Sequence, residues 1–261
     1  MNVFDVHVHI FPETIAAKAV NNLSEYYHVP MSGKGTWADL QESLKEAKVI
    51  KKCLIHATAT TPHQVRDVND YISQFKGEDI YCFGSMHPDY EDIEGEIERM
   101  ISMGIKGIKL HTDFQRFNAD DEKAFRIYAC AEGRLPILFH AGDANVDYSS
   151  PLRLRHIHDK FPDLTMICAH LGGYSKWDDA EKYLVGTGVY LDTSSYLQAI
   201  DWEQAKRMIR NHGVDKCLFG TDYPMHNQAK CIKDFLALGF SDMENRKILW
   251  ENALRILGDN K

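Results

Sequence analysis

Nowhere in the 261 residues do 18 apolar residues run together, so no membrane-spanning helix is expected. The N-terminal MNVFDVHVHIFPE has no basic segment and no long apolar core. Asp5, His7 and His9 fall where a signal peptide would be apolar, so a cytoplasmic chain is expected. Excess positive charge is missing too. Lys+Arg number 30 against 38 Asp+Glu, a net charge of −8, which argues against non-specific binding to DNA or RNA. The six cysteines form no CxxC pair and read as reduced, buried thiols, not as a disulfide frame or zinc cluster. There is no Pro-, Gly- or Ser-rich linker and no heptad run, and 17 Gly and 8 Pro are ordinary numbers. Collagen, coiled-coil and multi-domain readings therefore fall away. A hydrophobic share of 44% excludes a disordered chain.

What is present is a series of short apolar runs. They cover Val3–His9, Val49–Ala57, Ile80–Met86, Ile105–Leu110, Leu135–His140, Leu164–His170, Val189–Leu191 and Lys216–Gly220. Runs of this length that are apolar on both faces predict strands of a parallel sheet covered on both sides. Between them lie helical spacings, such as Ile93, Ile97, Met100 and Ile101, or Ala124, Ile127, Tyr128 and Ala131. Gly104 and Gly133 stand at the expected stops. The first interval, 47 residues from His9 to His56, leaves room for an extra helix or lid around Tyr26–Gly35. Residues Ser241–Gly258 read as a closing helix. Eight strand–helix units in one α/β domain, 1–261, predict a (β/α)8 TIM barrel. The alternative is an open doubly wound sheet. It would usually place a glycine-rich loop after strand one, where VFDVHVHIF has no glycine.

Histidine is what stands out. Seven of 13 lie at or near predicted strand ends: His7, His9, His56, His87, His111, His140 and His170. In such a barrel the active site lies at the C-terminal strand ends. His7 and His9 are two apart, so both point to one face of their strand and can grip one cation. Asp5 is expected on that face too, as a hydrogen-bond partner for an imidazole or as a polar residue at the barrel bottom. His140 and His170 each end an apolar run. Asp222 ends KCLFGTDYP, beside strand one once the barrel closes, where it can ligate a metal, move a proton or cap the next helix. Three His, one Asp and an open position suit Zn2+ or a similar divalent ion, with Mn2+, Fe2+ and Co2+ as alternatives. His170 is expected across the mouth as a general base or electrophile.

The HxH of strand one, FHAG, AHLGG and GTDYP, in this order along the chain, resemble the amidohydrolase superfamily. The nearest branch is amidohydrolase family 2, which holds aminocarboxymuconate-semialdehyde decarboxylase. The resemblance implies a metal-dependent TIM barrel with His7, His9, His140 and Asp222 as ligands. It also implies catalysis by His170 and Asp222. Gly107–His111 resembles the lysine strand of dihydroorotase-like members. Lys109 is thus a carboxylated bridge between two metals, an ammonium for an anionic substrate, or the partner of a carboxylate. His111 is a pocket candidate, and Arg116 is either a carboxylate clamp or an exposed loop residue. Tyr196 and Tyr223 stand at the ends of strands seven and eight, and the four tryptophans are assigned to packing. The expected function is hydrolysis of an amide, ester or lactone bond in a small molecule. The alternatives are non-oxidative decarboxylation of an aromatic or unsaturated carboxylate, or a silent metal-binding protein. A homodimer is the commonest assembly a priori.

Overall fold

The computed structural model describes residues 1–258 apart from Tyr196 and Gln198; the expectation for Tyr196 lies outside the described residues. Eight strands form one parallel sheet in chain order. They are β1 (Val3–His9), β2 (Ile50–His56), β3 (Ile80–Ser85), β4 (Gly107–Leu110), β5 (Ile137–Phe139), β6 (Met166–Cys168), β7 (Tyr190–Asp192) and β8 (Cys217–Leu218). The chain beyond β8 returns to β1. Val6 N–H donates to the Phe219 carbonyl at 2.9 Å, Asp222 N–H to His7 at 2.9 Å and His9 N–H to Tyr223 at 2.7 Å. These bonds close the cylinder, and the expected (β/α)8 barrel is what the chain forms.

Helices occupy the intervals. The first interval holds both α1 (Glu13–Tyr27) and α2 (Trp37–Glu46), which accounts for its length. The others hold α3 (Val65–Ser73), α4 (Ile93–Ser102), α5 (Thr112–Gln115) with α6 (Phe125–Ala131), α7 (Pro151–Lys160), α8 (Trp177–Tyr183) and α9 (Trp202–His212). After β8 come α10 (Gln228–Ala237), α11 (Asp242–Arg246) and, through a π-helical turn, α12 (Asn252–Leu257). Whereas β7 equals its run in length, shifted by one residue, the observed strands β5, β6 and β8 are shorter than the apolar runs that predict them. Their last residues leave the ladder to present side chains at the mouth.

Two apolar layers explain why both faces of each strand are hydrophobic. The outer layer packs strand residues such as Val3, Val8 and Ile55 against the helices. The inner one holds Phe4, Val6, Leu54, Phe83, Leu138 and Ile167 inside the barrel. The closing helix plugs the floor: Trp250 lies 6.3 Å from the Phe4 ring, and Ala253 joins the same cluster. All polar function is thereby pushed to the opposite, C-terminal end.

One strand departs from simple alternation. The pairing of β1 with β2 slips between Asp5 and Val8, a bulge that re-aims side chains. Asp5 therefore does not lie beneath His7 as expected. Its carboxylate accepts from Thr221 N–H at 3.0 Å, Thr221 Oγ1 at 2.6 Å and Gln228 Nε2 at 2.7 Å. It ties β1 to the β8 loop and to α10.

Candidate metal centre

The bulge puts His7 and His9 side by side at the mouth. Their Nε2 atoms are 3.2 Å apart, and Asp222 Oδ1 lies 3.4 Å from His7 Nε2 and 3.3 Å from His9 Nε2. Three donors bound to one ion at about 2.1 Å set edges of about 3.0 Å at right angles and about 3.4 Å in a tetrahedron. The observed triangle has that size. His56, at the end of β2, stands against the same pair, 4.8 Å from His7 and 4.3 Å from His9 between ring centroids.

The proton positions follow from the partners. His7 Nδ1 faces Asp192 Oδ2 at 2.7 Å. A carboxylate only accepts, so the His7 proton sits on Nδ1 and the Nε2 lone pair faces the triangle. Asp192, at the end of β7, also accepts from His170 N–H at 3.1 Å, Ser194 N–H at 2.9 Å and the Ser194 hydroxyl. His170 Nδ1 donates to the Ser194 carbonyl at 3.1 Å. That leaves its Nε2 to accept from His140 Nδ1 at 3.0 Å. The lone pair of His140 is then on Nε2, which has no partner.

Burial decides the charges. It pushes His7 down to about 4, with the Lys109 charge adding to the effect. It also holds His9 low and His56, His111 and His140 well below the usual imidazole range. These rings are neutral near pH 7, as metal ligation requires. Burial alone would raise Asp222 and Asp192, but neighbouring imidazoles, His7 foremost, hold both below the usual carboxylate range. The site thus presents neutral donors and two buried negative charges. Lys109 Nζ is fully buried without a hydrogen bond, and burial lowers it to about 8 despite Asp192 and Asp222.

The predicted site residues divide among several places. His7, His9 and Asp222 come together. His140 stands one step away, its ring stacked on His111 at 3.9 Å and its Nε2 3.9 Å from Asp113 Oδ2. His170 sits between the two groups, 5.2 Å from His7 and 4.7 Å from His140 by centroid. His111 lines the cavity, and its Nε2 meets the Tyr27 hydroxyl at 3.2 Å. Arg116 is exposed just after α5 and does not line the cavity. His87 packs edge-on against Phe117, 5.9 Å away. Trp177 does more than pack: its indole N–H donates to the His170 carbonyl at 2.9 Å. The Tyr223 hydroxyl turns to Asp39.

Three site residues hold left-handed backbone: His170 at φ 57°, Ser195 at φ 54° and Asp222 at φ 63°. Such conformations cluster at functional sites. Gly220 explains how β8 comes so near: a Cβ there would lie 2.7 Å from His7 Cβ.

Above the polar floor opens a cavity of about 350 Å³. Its walls are apolar and aromatic: Phe11, Leu23, Tyr27, Phe114, Tyr174 and Met225. Much of this wall comes from α1 and the segment after it, of which Tyr26, Tyr27 and Met31 fall in the window read as an extra helix or lid. Asp192 and the α1 aromatics are the parts that sequence reasoning missed. Asp192 directly follows the seventh apolar run, the same signal that singled out Asp222.

Residues 4–258 match the amidohydrolase family 2 profile, described as Amidohydrolase. The chain belongs to this family. No curated protein matches it. Among solved structures, this amidohydrolase is similar to a dihydroxybenzoic acid decarboxylase from a Polaromonas species with bound manganese and 2-nitroresorcinol. That pair is 17% identical over 100% of this chain and 98% of the other, with a TM-score of 0.77. It is similar to 5-carboxyvanillate decarboxylase from Sphingomonas paucimobilis, at 13% identity over 98% and 99% of the two chains and a TM-score of 0.76. It also resembles a candidate 2-pyrone-4,6-dicarboxylic acid hydrolase from Pseudomonas putida, at 16% identity over 100% and 98% and a TM-score of 0.68. At these identities the likeness shows the fold. Among the described residues, no helix is long and apolar enough to cross a membrane.

Proposed function

We propose that the protein is a metal-dependent hydrolase of a small, planar, carboxylate-bearing molecule, cleaving an ester, lactone or amide bond. The observation that carries this is the 3.2–3.4 Å triangle of His7 Nε2, His9 Nε2 and Asp222 Oδ1 under an apolar cavity. His7, His9 and Asp222 would hold one divalent cation, Zn2+ in our reading, with His140, whose Nε2 now stands 3.9 Å from Asp113 Oδ2, turning in as the fourth ligand. A cation there supplies Lewis-acid activation of water and of a substrate carbonyl.

The residues of the chain do the rest. Lys109, a buried ammonium lacking a hydrogen bond, receives the substrate carboxylate, which replaces the water it lost on folding. No carboxylate hydrogen-bonds it, although Asp192 and Asp222 attract its charge from farther off, and this favours the role over a plain ion pair. Tyr27 and Tyr174 line the place for a planar ring, while His111 is itself sandwiched between Phe114 at 4.0 Å and His140 at 3.9 Å. Asp222 accepts a proton from the attacking water, while the Ser195 hydroxyl, donating to its Oδ2 at 2.5 Å, keeps the carboxylate oriented. His170, anchored through Nδ1, presents the Nε2 lone pair, which would take that proton on from Asp222 and then deliver it to the leaving group.

Decarboxylation is the second reading. The aromatic wall and the two similar decarboxylases favour it. In that case Asp222 or His170 would protonate the carbon that loses CO2. The test incubates metal-loaded protein with aromatic carboxylates and cyclic ester carboxylates in H2(18)O. Label in the product acid supports hydrolysis, and CO2 release with no 18O in the remaining organic product supports decarboxylation. Retained metal with no turnover of either class would favour silent binding and overturn both.

A further inference from the structure

We infer that His56 is a ligand of the same cation, so that strands β1 and β2 supply three imidazoles against Asp222. The inference rests on the cation reading above. The imidazole of His56 is fully buried, and neither ring nitrogen has a hydrogen-bond partner. A neutral imidazole has one donor and one acceptor, and buried polar atoms are nearly always paired. Something absent from the protein part of the site must therefore meet at least one of them. Register places the ring where that something is: His56 pairs directly with His9 across the β1–β2 ladder. One nitrogen each of His7, His9 and His56 lies within 4.8 Å of the others. Trans ligands on one ion stand about 4.2 Å apart at a bond length of about 2.1 Å, so a small rotation of the His56 ring suffices. No carboxylate hydrogen-bonds this ring, which distinguishes it from His7, oriented by Asp192. No hydrogen bond has to break for it to turn toward an ion.

The test is anaerobic titration of the metal-free protein with Co2+ and Zn2+, comparing wild type, His56→Gln, His56→Ala and His140→Ala. Co2+ affinity and the intensity of the visible ligand-field bands are both read. Losing an outer partner costs about 10–100-fold in affinity. His56→Gln and His56→Ala are expected to lose more than that, with a changed Co2+ spectrum and an unchanged far-UV circular dichroism spectrum. Wild-type affinity and spectrum in His56→Gln would overturn the inference, since His56 would then hold only water. Failure of wild type to bind either ion would instead remove the underlying cation reading. If His56→Ala fails to fold, His56→Gln carries the decision through its spectrum.

Discussion

Replacing Asp192 by Asn tests the proton logic of the site. The Asp192 carboxylate meets four donors: Oδ2 meets His7 Nδ1 at 2.7 Å, while Oδ1 takes His170 N–H, Ser194 N–H and the Ser194 hydroxyl. Asn has a single acceptor oxygen, and the three donors at Oδ1 will claim it. The amide NH2 then faces His7 Nδ1. His7 must answer with a lone pair and move its proton to Nε2, the nitrogen aimed at His9 and Asp222. An imidazole in that tautomer cannot ligate a metal through Nε2. Loss of an outer carboxylate alone costs about 10–100-fold in metal affinity, or about 1.4–2.7 kcal/mol. Asp192→Ala falls in that range, because His7 remains free to choose its tautomer. Asp192→Asn, though nearly isosteric, is expected to lose at least about 100-fold, since inversion is added to the loss of orientation. Chelator competition with Zn2+, on variants checked by circular dichroism, measures both. An Asn variant within threefold of wild type, or one tighter than the Ala variant, would refute the reasoning.

Other predictions follow from named groups. Lys109→Met removes a buried ammonium whose pKa burial lowers to about 8. The penalty for keeping it charged is present below pH 8, so the metal-free variant should gain up to about 3 kcal/mol at pH 7. KM for carboxylate substrates should rise while metal content stays; a destabilised variant with unchanged KM would contradict this. His212, donating to the Val189 carbonyl, is pushed down by burial to about 4. Its depressed pKa means the unfolded chain binds the extra proton first, so stability falls as pH drops from 6.5 towards 4, by up to about 3 kcal/mol. Urea titrations of His212→Gln should show a shallower acid loss than wild type; identical slopes would sink the assignment. Phe4→Ala empties a fully buried place on the barrel floor and should cost about 3–5 kcal/mol in urea unfolding. A loss below about 1 kcal/mol would mean that the closing helix does not rest on it. Gly220→Ala should displace His7, weaken Zn2+ binding and cost about 1–3 kcal/mol in stability, since the clash is with a Cβ and not with a flexible side-chain end; unchanged binding would contradict the contact.

The barrel was legible because every strand is covered twice, leaving near-continuous apolar runs at regular spacing. The strand ends were overread: His140, His170 and Gly220 lie within their apolar runs but beyond the ends of β5, β6 and β8. His7, His9 and Asp222 were legible since alternation and barrel closure bring them together wherever the loops go. The face of Asp5 was not, because the bulge depends on Thr221 and Gln228, more than 200 residues away. Nor was the partnership of His140 with His170 and of His56 with His9. Which way an imidazole turns is set by what meets its other nitrogen, and Asp192 and the Ser194 carbonyl come from β7 and the turn after it. The aromatic wall stayed hidden because Tyr26 and Tyr27 sit on a helix whose spacing alone does not say what it covers.

The most direct test is anomalous diffraction from crystals of the protein loaded with Zn2+, collected across the zinc edge. The account predicts a peak about 2.0–2.2 Å from His7 Nε2, His9 Nε2 and Asp222 Oδ1. No peak between these three atoms, or zinc only at surface carboxylates, would contradict it.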